Sequence, residues 1–193
     1  PKKFILGITN KTHDDCRKKE GALISLCKVL DPDYFAFKIM GSGWNDIVAS
    51  IKSMGFQTDY YGEFDYDEYV KLIPSLDYYL YWGFDEGSMG YLDALAAGVE
   101  TLVTPQGFHL DVKDGITCPC RTVKDFADIL LQLQEQRKKK TESVREWTWE
   151  KYVDKHMKIW NYILGNVEEE SFYENQHLYE DGENSVFRYR TFL

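Results

Sequence analysis

The sequence has no long apolar run and little cysteine. None of its hydrophobic stretches approaches the roughly 20 residues that a helix needs to cross a bilayer, and no signal peptide opens the chain. Its four cysteines do not form a paired framework, and the single residue between Cys118 and Cys120 is shorter than the spacing of zinc knuckles. We therefore expect a soluble, cytoplasmic protein with reduced thiols and no metal site.

Positive charge is scarce as well. The chain carries 23 lysines and arginines against 32 acids, which gives a formal net charge of −9. This balance argues against a nucleic-acid partner, because such a partner binds through a broad basic surface. A small anion held by local donors is still compatible with it.

The acid is concentrated at the C-terminal end. Residues 166–193 hold seven acids and two arginines and so contribute −5 of the −9. They also contain six phenylalanines and tyrosines, which are too many for a purely disordered linker. We predict a domain over residues 1–165 and an acidic, aromatic extension over residues 166–193 that packs on this domain or on another one.

Apolar segments of two kinds alternate along the chain. Short runs rich in β-branched or aromatic residues predict strands at residues 3–9, 34–43, 58–64, 77–83 and 99–105. Helical spacing predicts helices at residues 21–30, 44–56, 65–76, 87–98, 122–140 and 145–164. Strands separated by helices form βαβ units, so we expect an α/β fold whose parallel sheet has helices on both faces. In such sheets ligands bind beyond the carboxyl ends of the strands.

The stretch DEGSMGYLDALAAG, residues 85–98, lies at one of these strand ends. A helix that begins near Ser88 has unpaired backbone N–H groups and a positive dipole end, and Gly87 and Gly90 let a ligand approach the main chain, so the turn suits a phosphate. Asp93 follows about 7 Å further along the axis. Its carboxylate has no core role in a Leu-Ala-Ala helix and could accept hydrogen bonds from the two hydroxyls of a ribose.

A purely structural interpretation of the same stretch stays open. Asp85 and Glu86 would then only favour the helix dipole, and Ser88 would only cap the helix. In the ligand interpretation, one of the two acids faces the group that lies beyond the phosphates.

The ordered motifs of residues 3–164 resemble a known family. They are FKIMGSGW, YYGEFDYDEYVKLIPSLDYYLYW, EGSMGYLDALAAGVETLVTPQGF and TWEKYVDKHMKIWNYIL. Together they resemble the nucleotide-sugar-binding, C-terminal domain of GT-B glycosyltransferases, in particular the large retaining family with an acid, seven residues and a second acid. The resemblance implies a Rossmann-like half of a two-domain enzyme whose donor substrate is an NDP-sugar, with no separate cofactor.

The resemblance also implies a missing partner domain. The chain begins with Pro1 on a predicted strand, so we expect the acceptor-binding half to precede it. The acceptor would be a glycan or a lipid-linked glycan, and the full-length protein could associate peripherally with a membrane. This half alone should bind a nucleotide without transferring a sugar.

By the resemblance, Asp85 and Glu86 are the catalytic candidates. Asp85 lies eight positions before Asp93, as the signature requires, whereas Glu86 begins the family-like Glu-Gly pair only seven positions before it. The identity of the first acid therefore stays open, and the second acid has shortened to aspartate. The implied donor-binding residues are Lys18, Lys19, Gly43, Glu63, Phe64, Gly87, Ser88, Met89, Gly90 and Asp93.

Lysines after the first strand are assigned to the diphosphate. Cationic groups there would stabilise the charge that develops on the leaving diphosphate. Lys18 aligns with the family's lysine and Lys19 is its alternative, while Lys11 stands in for the family's arginine. An exposed helix start is the alternative interpretation of the basic residues 17–19. Near the sugar, His109 is either an ordinary loop histidine or a participant.

Two further functions stay open beside a glycosyltransferase. The shortened spacing and the two aspartates would also fit a non-catalytic nucleotide-sugar-binding module. An NDP-sugar epimerase shares this architecture but uses both of its domains for chemistry. Turnover of an NDP-sugar by the full-length protein distinguishes an enzyme from a binding module.

Overall fold

A computed structural model describes residues 1–13 and 19–166 of the chain. Its strands are β1 (Phe4–Ile8), β2 (Phe35–Met40), β3 (Gln57–Tyr61), β4 (Tyr78–Tyr81), β5 (Glu100–Val103) and β6 (Cys118–Pro119). Its α-helices are α1 (Ala22–Cys27), α2 (Asn45–Ser53), α3 (Tyr66–Leu72), α4 (Met89–Ala96), α5 (Val123–Ser143) and α6 (Trp149–Ile163). Short 3-10 helices follow at Ile73–Ser75, where Pro74 interrupts the predicted helix, and at Gly107–Asp111. All five predicted strands and six predicted helices are confirmed. Most are shorter than predicted, whereas β3 begins one residue earlier and α5 ends three residues later.

The six strands form one sheet in the order β3-β2-β1-β4-β5-β6, and every pair is parallel. The predicted α/β fold, a Rossmann-like parallel sheet, is therefore confirmed. The strand order reverses between β1 and β4, which is where ligands bind in open sheets of this kind. Strand β6 is not among the predicted strands, because it has only two residues and one of them is Pro119.

Successive side chains along β4 and just after it point to opposite faces of the sheet and belong to two separate hydrophobic cores. Leu80 and Trp82 belong to a cluster with the other apolar side chains of one sheet face, whereas Tyr79 and Tyr81 belong to the cluster on the opposite face. Tyr79, Tyr81 and Trp82 are all buried. The sheet is covered on both faces.

The chain divides into two compact units, Pro1–Lys140 and a second unit that begins at Thr141. The described part of the second unit holds α6, which begins after Thr148, whose side chain accepts a hydrogen bond from the amide of Lys151. The predicted boundary at residues 165–166 stays a prediction, and residues 167–193 lie outside the described part.

Cysteines 27, 118 and 120 are free thiols, as predicted, whereas Cys16 lies outside the described residues. Burial raises the pKa of Cys27 and of Cys120 to about 12, so both are protonated and unreactive at neutral pH. No helix in the described part of the chain is long and apolar enough to span a membrane.

Candidate functional site

A cavity of about 870 Å³ opens at the carboxyl edge of the sheet. Its volume lies within the range of about 300 to 1,000 Å³ that is usual for small-molecule sites. Its walls come from the segments after β1, β2 and β3 and from the turn and helix after β4. The cavity therefore lies at the reversal of strand order, where the sequence predicts a ligand.

Most of the predicted site residues line this cavity. They are Glu63, Phe64, Glu86, Gly87, Ser88, Met89, Gly90 and Asp93, together with Lys11. Asp85, Lys19 and Gly43 do not line it. Lys18 lies outside the described residues, so its placement stays a prediction.

The two candidate acids before α4 have different surroundings. Asp85 is half-buried, and its Oδ1 accepts hydrogen bonds from the Tyr81 phenol and, at 3.1 Å, from the amide of Gly87. Burial, and then Asp85 itself, raise the pKa of Tyr81. Glu86 is exposed and contributes to the cavity wall. The structure thus uses Asp85 to hold the turn and leaves Glu86 facing the space where a ligand would lie.

His109 holds the same turn in place through hydrogen bonds of its buried ring. It is fully buried, and its Nε2 accepts a hydrogen bond of 2.8 Å from the Ser88 amide. Its Nδ1 therefore carries the proton and donates to the carbonyl of Thr104 at 3.2 Å. Burial lowers the pKa of His109, which favours this neutral form. His109 packs beneath the turn and does not line the cavity, so the structure gives it a packing role, and its participation near the sugar stays a prediction.

The glycines of the turn are required by packing. Gly87 has φ +118°, and a Cβ there would lie 2.9 Å from the Phe108 ring and 3.0 Å from the His109 ring. A Cβ on Gly90 would lie 2.1 Å from Oγ1 of Thr9. Close approach of neighbouring side chains explains both glycines, and the predicted approach of a ligand to their backbone stays a prediction.

Backbone donors are available at the start of α4. The Ser88 amide is taken by His109, and the next amides with no intrahelical acceptor belong to Met89 and Gly90. In the described residues no hydrogen bond reaches either of these two amides, and both residues line the cavity. Two amides can therefore donate hydrogen bonds to a phosphate oxygen, and the positive end of the helix dipole favours its negative charge.

Asp93 meets a partner that the sequence did not indicate. The phenol of Tyr69, on α3, donates a hydrogen bond of 2.5 Å to Oδ2 of Asp93, and both residues line the cavity. The Tyr69 ring lies 5.2 Å from the ring of Phe64, which also lines the cavity. Burial, and then the hydrogen bond to Asp93, raise the pKa of Tyr69, so the phenol stays protonated. No local pattern could have identified this pair, because it depends on how α3 and α4 are placed side by side.

The loops after β1 and β2 hold each other in place on the opposite side of the cavity. The Trp44 indole donates to the carbonyl of Asn10 at 2.6 Å, and the Thr12 amide donates to the carbonyl of Ser42 at 2.9 Å. Gly43 has φ +92°, and a Cβ there would lie 1.8 Å from Oγ1 of Thr12. Gly43 therefore lets the two loops pack together, and the residues of this loop that line the cavity are Gly41 and Ser42.

The charged side chains that line the cavity are mostly acidic. In the described part of the chain they are the cation Lys11 and the anions Glu63, Glu86 and Asp93. Lys19 instead places its ammonium 3.8 Å from the centroid of the Phe84 ring. Within the described residues, Lys11 is therefore the lysine available to a diphosphate in the cavity.

Comparison with solved structures shows the fold. No protein-family model matches the sequence, and a search of curated proteins found no significant match. Three solved structures align with TM-scores of 0.54. HepE from Anabaena, in complex with UDP-glucose, is 17% identical, and the alignment covers 71% of this chain and 40% of that one.

The other two structures are of isolated domains. The catalytic domain of the cholesterol-alpha-glucosyltransferase from Helicobacter pylori is 13% identical, with 76% of this chain and 100% of that chain covered. The C-terminal domain of LpcC, a glycosyl transferase group 1 family protein from Francisella tularensis, is 19% identical, with 72% and 78% covered. This chain thus spans a domain of these proteins but only 40% of the length of HepE. It has the Rossmann-like α/β fold that is found in GT-B glycosyltransferases of known structure.

Proposed function

We propose that this domain binds the NDP-sugar donor of a glycosyltransferase, and that the full-length protein transfers the sugar to a glycan or a lipid-linked acceptor. The observation that carries the proposal is a single cavity wall formed by α4, which presents two unpaired amides at its start and the carboxylate of Asp93 further along. Asp93 lies four positions after Met89, which is a rise of about 6 Å along the helix. That separation fits a phosphate and the ribose attached to it.

This placement of the phosphate and the ribose assigns the base and the sugar of the donor to other residues that line the cavity. With the phosphates at Met89 and Gly90 and the ribose at Asp93, the base lies toward the main chain of Glu63 and Phe64. The sugar lies on the other side of the phosphates, toward Glu86. We therefore assign the first signature acid to Glu86 and a supporting role to Asp85, which holds the turn through Gly87.

The positive charges that would contact the diphosphate are assigned to lysines after β1. Lys11 lines the cavity, and Lys18 is proposed to join it as the sequence alignment implies. Lys19 is the weaker candidate, since its ammonium lies over Phe84. No cofactor besides the donor substrate is proposed.

The structural neighbours support a uridine nucleotide as the first candidate. HepE was crystallised with UDP-glucose and also with UDP and glucose. The acceptor would be bound by a second domain that precedes Pro1, and a lipid-linked acceptor would bring the full-length cytoplasmic protein to a membrane surface. A retaining outcome is part of the same proposal, with Glu86 and Asp93, which have six residues between them, in place of the two acids of the E-x7-E type.

A panel of nucleotides tests the proposed function. The purified chain is titrated calorimetrically with UDP, GDP, ADP and UDP-glucose, and its melting temperature is measured with each, because a ligand of the native state raises it. We expect one nucleoside diphosphate to bind and to raise the melting temperature. Failure of all of them to bind would overturn the proposal.

Turnover then distinguishes an enzyme from a binding module. The 193-residue chain is incubated with radiolabelled NDP-sugars and glycan acceptors and is expected to transfer nothing, because positioning of both reactants between two domains supplies much of the rate. The full-length protein is expected to transfer or hydrolyse the donor. A full-length protein that binds the donor without turnover would make the domain a non-catalytic module.

A further inference from the structure

We infer that Tyr69 is a positioning residue that leaves one oxygen of Asp93 to recognise a single ribose hydroxyl of the ligand. This inference rests on the proposed function and deepens it. The carboxylate has two oxygens, and Oδ2 is taken by the Tyr69 phenol at 2.5 Å. In the described residues no hydrogen bond reaches Oδ1, and Asp93 is exposed in the cavity wall.

The pairing determines what Asp93 can bind. A free carboxylate on a helix can rotate and can accept from two neighbouring hydroxyls at once. Once the phenol occupies Oδ2, rotation of the carboxylate would break a charge-assisted hydrogen bond, so the group is fixed. The remaining oxygen can then accept strongly from one hydroxyl donor.

The Tyr69 ring is held against the ring of Phe64, whose centroid lies 5.2 Å away. Burial and Asp93 raise the pKa of the Tyr69 phenol, and the nearby hydroxyl of Thr9 lowers it. Thr9 in turn lies 3.1 Å from the phenol of Tyr79, which lies 2.7 Å from Oγ of Ser88. Hydroxyl groups thus connect the surroundings of Tyr69 to the start of α4, where the phosphate is proposed to bind.

The arrangement of Tyr69 and Asp93 predicts which nucleotides the site binds best. The site should prefer a ribonucleotide to the analogue that lacks the hydroxyl facing Oδ1. A hydrogen bond to a charged group changes affinity by about tenfold or more. The preference should depend on the Tyr69 phenol as well as on Asp93.

The experiment compares UDP, 2′-deoxy-UDP and 3′-deoxy-UDP by calorimetry, or the same three forms of whichever nucleotide binds best. For the wild-type chain we expect one deoxy analogue to bind about tenfold more weakly than the ribonucleotide. Tyr69→Phe keeps the ring against Phe64 and removes only the hydroxyl, and we expect it to reduce this ratio to about threefold or less. Asp93→Asn should abolish the ratio, and the double variant should match Asp93→Asn because the two groups act as one unit.

Tyr66→Phe is the matched control. Tyr66 lines the same cavity and is exposed, and its phenol makes no hydrogen bond in the described part of the chain, so the ratio of this variant should equal that of the wild type. A wild-type chain that binds the nucleotide, with Tyr69→Phe keeping the full ratio, would overturn the role of Tyr69 and leave the proposed function standing. Equal binding of the ribonucleotide and both deoxy analogues would also overturn the inference alone. If the wild-type chain binds no nucleotide, both proposals fail.

Discussion

The turn before α4 and the middle of α4 each hold an aspartate against a tyrosine phenol. Asp85, in the turn, is half-buried and accepts from both the Tyr81 phenol and a backbone amide. Asp93, in the helix, is exposed and accepts from the Tyr69 phenol through one oxygen. The same pair of groups therefore stabilises the backbone in one region and leaves a carboxylate oxygen for a ligand in the other. Burial and the number of donors decide which of the two results.

The comparison predicts that substitutions in the turn act on folding and that substitutions in the helix act on binding. The largest effect is expected at Gly107, which lies against the turn with φ +50°. A Cβ there would lie 2.0 Å from the backbone oxygen of Glu86. Gly107→Ala should lower the free energy of unfolding by about 3 kcal/mol, because a backbone clash adds to the strain of a positive φ. Chemical denaturation measures it.

Gly98→Ala is the control for the clash. Gly98 has φ +70°, and a Cβ there would meet nothing within 4 Å. Gly98→Ala should therefore lower the free energy of unfolding by only about 1 kcal/mol, which is the cost of the backbone strain. Equal decreases in the free energy of unfolding for the two variants would show that the turn shifts to relieve the clash and does not hold its backbone in one position.

Removal of the two carboxylates separates the regions more directly. Asp85→Ala takes the acceptor from the Tyr81 phenol and the Gly87 amide and should cost about 1 to 3 kcal/mol of unfolding free energy. Asp93→Ala affects an exposed side chain and should cost less than about 1 kcal/mol. The denaturant midpoints of the two variants measure this difference, provided that both unfold with the same dependence on denaturant concentration. Equal destabilisation by Asp93→Ala and Asp85→Ala would contradict the different roles of the two carboxylates.

Binding should show the reverse order. Asp93→Asn keeps the shape of the side chain but removes its charge, and it should weaken nucleotide binding by about 1 to 3 kcal/mol while the fold persists. Asp59→Asn, at an exposed position that does not line the cavity, should leave the affinity unchanged. Calorimetry with UDP, GDP and ADP measures both. Unchanged affinity in Asp93→Asn for the nucleotide that the wild type prefers would remove Asp93 from the site.

The sequence predicted the parts of the site that lie next to each other in the chain. Alternating apolar segments were enough to place the strand ends, and with them the residues from Glu86 to Asp93, because loops after parallel strands meet at one edge. Tyr69 could not be predicted, since its contact with Asp93, which lies 24 residues further along the chain, depends on the packing of two helices. The choice between Asp85 and Glu86 was open for a similar reason, because it depends on which carboxylate reaches Tyr81.

His109 illustrates the limit for buried polar groups. Its neighbours in sequence are those of a surface loop, and only the folded chain shows that its ring accepts from Ser88 and donates to Thr104. Nothing in the local pattern distinguishes such a histidine from an exposed one.

The same histidine makes the turn sensitive to pH. Burial lowers the folded-state pKa of His109, so the unfolded chain binds its proton more readily. The contribution of His109 to stability is therefore complete above the unfolded pKa of about 6.5 and is lost as the pH falls below it, by at most about 1.4 kcal/mol per pH unit. Asp85 faces this ring and opposes the shift, and the rings of Tyr81 and Tyr91 pack against it.

Unfolding curves between pH 5 and 8 check this expectation. The variant His109→Gln cannot titrate in this range, so the difference between it and the wild type isolates His109 from the carboxylates. The wild type should lose stability faster than the variant as the pH falls from about 6.5. Parallel curves would show that the pKa of His109 is the same in the folded and the unfolded chain and would overturn this expectation.

The smallest effects are expected at the lysines, which are exposed and screened by solvent. Lys11 lines the same cavity as the proposed phosphate site, whereas Lys138 is the exposed comparison on α5. Lys11→Ala should weaken the binding of UDP relative to uridine by up to about 1 kcal/mol, because only the diphosphate carries the charge that Lys11 attracts. Lys18→Ala should do the same if its segment reaches the cavity, and Lys138→Ala should not. The loss should shrink as salt is added, since screening weakens exposed charges. Equal and negligible changes for all three lysines would assign them to the solvated surface and leave the two amides of α4 as the donors to the phosphates.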